Sequence, residues 1–112
     1  MSRKSIPDCV SFSEEKMKKV NLFESPRFFC DLYCLRPGQE QKVHSHADND
    51  KIYAVQRGSG VVIVGDVRHS VSEGDVVLAR SEEPHGVINE SDEDLVCLVF
   101  MAPHPSFEGA GS

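Results

Sequence analysis

The feature that most constrains this chain is the spacing of its turn residues. Pro37-Gly38, Gly58-Ser59, Gly65-Asp66 and Glu73-Gly74 interrupt runs rich in valine, isoleucine, leucine, phenylalanine and tyrosine. From Val20 onward the runs read VNLFES, RFFCDLYCL, QKVHSH, KIYAVQR, GVVIV, VRHSVS, VVLAR, PHGVINES and LVCLVFMA. Short β-prone runs punctuated at about eight to twelve residues are the pattern of an all-β sandwich or barrel. Proline second and glycine third suit a type II turn at Pro37-Gly38. Gly58-Ser59 and Gly65-Asp66 read as two-residue hairpin turns led by glycine. The fold class expected is all-β, a barrel or sandwich of roughly eight to ten strands, with at most one short N-terminal helix.

Helical periodicity is nearly absent. The one candidate is SFSEEKMKK, where Ser11 precedes Glu14 by three as in a capping box. GVVIV and LVCLVFM are apolar at successive positions, so both faces of those strands need cover. A second subunit would supply the outer cover, and a homodimer is expected. Gln41, Phe100 and Met101 are read as lining either a pocket or a dimer face.

At 112 residues the chain fits one domain, with a core over about 18–103, an N-terminal segment over 1–17 and a loosely held tail over 104–112. The formal charge is −6, from 12 basic and 18 acidic side chains. That balance argues against nucleic acid as a partner, since phosphate neutralisation needs a basic face. No apolar run approaches the ~20 residues of a bilayer span, and MSRKSIPDCV is not a secretory signal. A cytoplasmic protein is expected. The four cysteines form no CxxC pair and read as reduced and mostly buried. The acidic loop from Glu90 to Asp94 lacks a calcium-loop pattern and reads as solvated.

The chemistry concentrates in three histidines. His44 and His46 are two apart, so on a strand both rings share one face and can reach one ion. Gly38, His44, His46 and Gly58 stand with spacings of five, one and eleven residues, and Gly74, His85 and Asn89 follow with ten and three between them. This arrangement resembles the two signature motifs of the cupin superfamily, G-x5-H-x-H-x3,4-E-x6-G and G-x5-P-x-G-x2-H-x3-N. The likeness spans residues 38–89. It implies a jelly-roll barrel with an internal site, and carries over His44, His46 and His85 as ligands of one divalent transition metal (iron, manganese, zinc, nickel or copper).

Two departures concern the second motif, where Arg80 and Glu82 stand for proline and glycine. The third is Lys51, at the position of the family's liganding glutamate. An ammonium has no lone pair to give a metal. At ~5 Å and an effective dielectric near 20 it would repel a dication by roughly 6–7 kcal/mol. Lys51 can therefore swing outward, stay inside and lose its proton, or yield to a register shift that brings in Asp50 or Asp48. Asp50 has the opposite strand parity, so that shift needs a bulge.

If Lys51 faces inward, Tyr53 does too, either as a hydrogen-bond donor to a ligand or as a core aromatic. Asn89 falls on the His85 face or starts a turn. His69 and His104 read as surface residues. Two functions follow from the resemblance and from Lys51. One is a metal-dependent oxygenase or isomerase acting on a small molecule. The other is a metal-free module that binds or senses a small anion through Lys51.

Overall fold

A computed structural model describes residues 2–105. Among them nine strands follow one short helix, α1 (Ile6–Cys9): β1 (Lys18–Ser25), β2 (Phe28–Leu35), β3 (Glu40–His44), β4 (Asp50–Arg57), β5 (Ser59–Val64), β6 (Val67–Ser72), β7 (Val76–Ala79), β8 (His85–Ile88) and β9 (Leu95–Ala102). They form two antiparallel sheets, a five-stranded one in the order β1-β2-β9-β4-β7 and a four-stranded one in the order β3-β8-β5-β6. The all-β sandwich expected from the turn spacing is the observed fold.

Alternation places the core. In β4, Lys51, Tyr53 and Val55 are buried while Asp50 and Ile52 are exposed. In β9, Leu95, Cys97, Val99 and Met101 point inward in the same way. Tyr53, Val55, Leu95, Cys97 and Val99 meet Tyr33, Leu35, Val62, Val64, Val71 and Val87 between the sheets.

The turns explain the path between elements. Gly38 has φ +86°, and Gln39 N–H donates to Arg36 O at 3.0 Å, as a type II turn requires. Gly65 has φ +63° and closes the β5–β6 hairpin, in which Val64 pairs with Val67. Gly58 does something else. The strands on its two sides belong to different sheets, so it is a crossing point and not a hairpin turn. Its φ is +83°, and a Cβ there would collide with the Asp94 carbonyl.

The N-terminal segment departs from expectation. The helix lies at Ile6–Cys9, opened by Pro7 in its first turn, and the SFSEEKMKK stretch is bent and then extended. Ser11 does not cap. Its hydroxyl accepts from Lys18 Nζ at 2.8 Å. Ile6, Val10 and Phe12 instead pack on Leu22, Leu32, Cys34 and Val96. Part of the outer cover expected from a second subunit is thus supplied by the chain itself.

His104 is also a correction. It is 7% exposed, stands edge-on to Phe29 with centroids 5.6 Å apart, and places Nε2 3.5 Å from Glu24 Oε1. An apolar ring beside it and a carboxylate at its tip account for its burial. The rest of the expected tail, 106–112, lies outside the described residues.

Gly58→Ala adds a methyl where the backbone has both a left-handed φ and a carbonyl in the way. Chemical denaturation is expected to show a loss of at least about 2 kcal/mol. Gly65→Ala, with open space at its Cβ, should lose less.

Candidate metal centre

His44 ends β3 and His85 begins β8, and the two are direct partners across the β3–β8 ladder. Their ring centroids are 4.7 Å apart. His46 lies beyond the end of β3, in the loop before β4, so the expectation that one strand carries both early histidines holds only for His44. The loop nevertheless returns the His46 ring to 4.8 Å from His44 and 5.8 Å from His85. One nitrogen from each ring falls within 4.8 Å of the other two.

The His46 loop is held by the second departure from the family motif. Glu82 has φ +72°, a conformation usually left to glycine, and its N–H donates to His46 O at 2.8 Å. The turn is closed by Glu83 N–H on Arg80 O, with the Glu83 carboxylate accepting from Arg80 N–H. The glycine-like backbone is kept although the side chain is not.

The tautomers are fixed by backbone. His44 Nδ1 is 2.9 Å from Lys42 O, and His85 Nδ1 is 2.9 Å from Glu83 O. A carbonyl only accepts, so each Nδ1 carries the proton and each Nε2 presents its lone pair. This is the outer-shell arrangement of metal-binding histidines. His85 Nε2 is buried and has no hydrogen-bond partner. Burial, opposed by the Glu83 carbonyl and aided by Lys51 and the other two rings, lowers the His85 pKa to about 4. Burial, then His44, Lys51 and Lys19, lowers that of His46. Neutral imidazoles with free lone pairs fit a divalent ion.

Lys51 stays inside. It is 1% exposed, and its Nζ donates to Gln41 Oε1 at 3.3 Å. The ammonium lies 4.9 Å from the Tyr33 ring centroid and 5.2 Å from that of Tyr53. Burial, reinforced by Lys19 and opposed by Asp31, lowers its pKa to about 7. Of the three alternatives open to this lysine, the outward swing and the register shift do not occur. Asp50 keeps its outward parity, and its carboxylate accepts from Ser81 N–H at 2.9 Å. Asp48 sits in the loop with its N–H on Ser81 Oγ.

Tyr53 is fully buried and donates to the same Gln41 Oε1 at 3.0 Å, while Gln41 Nε2 donates to Tyr33 OH at 3.3 Å. Asn89 is buried away from the histidines. Its amide donates to Leu35 O and Glu93 O, and its Oδ1 accepts from Ser91, so it closes a turn. The strand rule alone put Gln41 out of step with His44. A bulge between them lets both point inward, and no residue type in the sequence signals it.

A two-sheet β-sandwich with a histidine triad between the sheets is a small cupin-type barrel. The sequence profile described as Cupin domain matches residues 31–101, and the chain belongs to that family. The TT1209 protein from Thermus thermophilus is 41% identical and superposes with a TM-score of 0.91, over 94% of this chain and all of its own. An RmlC-like cupin protein from Desulfovibrio desulfuricans is 28% identical, with a TM-score of 0.81, over 92% of this chain and 97% of its own. Uncharacterized protein L612 of Acanthamoeba polyphaga mimivirus is 29% identical over 90 residues, which are 75% of this chain and 56% of that relative. The chain thus spans little more than half the length of this viral relative. No helix among the described residues is long and apolar enough to cross a membrane.

Lys51 costs stability. Its folded pKa lies below the ordinary 10.5, so between about pH 7 and 10.5 the unfolded chain holds the extra proton. Its contribution to stability therefore rises with pH across that window. The groups that set it are Lys19 and Asp31, with the Tyr33 and Tyr53 rings beside it. In metal-free protein Lys51→Met is expected to gain about 1–4 kcal/mol near pH 7. The gain should shrink toward pH 9, as read by denaturant melts at each pH.

Proposed function

We propose that this cupin binds one divalent transition metal through His44, His46 and His85 and acts on a small oxygenated molecule, as an oxygenase or isomerase. The observation that carries the reading is the buried, unpartnered Nε2 of His85, in a ring whose Nδ1 is already committed to Glu83 O. His44 is oriented the same way by Lys42 O, and the His46 ring is brought in by the loop that Glu82 holds. Three imidazole nitrogens suit first-row ions from manganese to zinc. Such an ion, when bound, supplies Lewis acidity toward an oxygen ligand. The chain's own part is to orient His44 and His85 through backbone carbonyls, to bury His85 and to bring in His46 by its loop.

The four unpaired thiols, two of them buried, suit a cytoplasmic setting. A homodimer belongs to the same proposal. Ile52, Val76, Leu78 and Phe100 are exposed apolar residues on the outer face of the five-stranded sheet, beyond the part covered by α1 and Phe12.

Elemental analysis of protein made without a histidine tag tests the reading. The wild type should carry about one transition-metal ion per chain. His46→Ala and His85→Ala should carry much less while keeping the wild-type far-UV spectrum. Equal metal content in all three would end the proposal, as would a wild type that stays metal-free after incubation with ferrous, manganous and zinc ions.

A further inference from the structure

Lys51 is a buried amine that no anion among the described residues partners. None of the ion pairs among the described residues involves it. Its one hydrogen bond goes to Gln41 Oε1, an acceptor already shared with Tyr53 OH. An ammonium has three protons to place, and a buried cation without a counter-charge is costly. Asp31, the carboxylate that acts on it from β2, is held by Asn21 Nδ2 at 2.8 Å.

A second lysine stands close by. Lys19 Nζ sits over the Tyr33 ring at 5.4 Å, the ring that Lys51 also approaches. Lys19 and Lys51 both act on His46, and Lys51 acts on His85. A cavity of about 460 Å³ is lined by Lys16, Met17, Lys19, Glu40 and Gln41, so the amide that bonds Lys51 also borders open space. Lys16 and Lys19 set two positive charges on this cavity against the single carboxylate of Glu40.

We propose that Lys51, with Gln41 beside it and Lys19 at the cavity rim, forms a carboxylate-binding subsite next to the three histidines, so that the natural ligand is a small carboxylate. The proposal rests on the metal reading only for the ligand's other end, where a second oxygen function would face the histidines. The carboxylate supplies Lys51 with the charge and acceptors that the fold withholds. Charge-assisted bonds of this kind are the strong ones. A neutral analogue would leave the ammonium unpaired and bind poorly.

Malonate and its neutral counterpart malonamide, titrated calorimetrically, test this. Both chelator-stripped and zinc-loaded protein are used, so that metal and subsite are judged separately. Malonate should bind wild type more tightly than malonamide in both forms. Lys51→Met should weaken malonate by about tenfold or more without lowering zinc content. Lys51→Arg should retain most of the affinity, and exposed Lys19→Glu should lower it about threefold. Failure of Lys51→Met to fold leaves Lys51→Arg and Lys19→Glu to decide. Loss of zinc binding with Lys51-dependent malonate binding intact would overturn the metal reading and keep the subsite. Malonate binding absent in both forms, or the same in wild type and the lysine variants, would overturn the subsite.

Discussion

The bulge in β3 between Gln41 and His44 is the constraint on which the site depends. On a regular strand, residues three apart face opposite ways. Here both face inward, while Lys42 and Val43 between them are exposed. The bulge thus delivers two things to one interior: a ring opposite His85, and an amide that gathers Tyr33, Tyr53 and Lys51. It also needs a gap in the neighbouring strand. Gly86 provides one, because a Cβ there would lie 2.6 Å from Gln41 O and 3.1 Å from Val43 N. The glycine after His85 is therefore part of the site although it carries no chemistry.

Much of this was legible in the residues. The parity of KIYAV put Lys51 and Tyr53 on one face and Asp50 on the other, and the structure turns the first of these faces inward. Pro37-Gly38 and Gly65-Asp66 form the turns their residue types demand. What escaped were features set by long-range packing. Gly58 has the residue for a hairpin, yet the strands on either side join different sheets, a choice made by what they pack against. SFSEEKMKK has a weak capping signal that loses to the burial of Phe12 and Val10 on the β2–β9 surface. His46 leaves the strand because β3 ends at its pairing with His85, and a loop bond from Glu82 replaces the ladder.

Glu82 shows how a motif can be kept in conformation and lost in sequence. A left-handed φ costs an ordinary side chain of order 1 kcal/mol, a cost carried here by bonds on both sides of the turn. The glycine of the family pattern marks a backbone shape, and the shape can be over-determined by its neighbours. The glutamate position of the first motif is different in kind. A carboxylate there would be a ligand, and no backbone bond can stand in for it.

Lys51 therefore changes the charge of the interior and leaves its shape alone. It stands in register between Met101 and Ala79 on the neighbouring strands, and its amine is shared by two tyrosine rings and one amide. A leucine or methionine would pack there at no electrostatic cost, so packing alone does not account for a lysine. A dication on the histidines would raise that cost further. Only a negative guest lowers both at once: it gives the ammonium a counter-charge and screens it from the ion. The buried amine that costs the barrel stability on its own would then select what fills it.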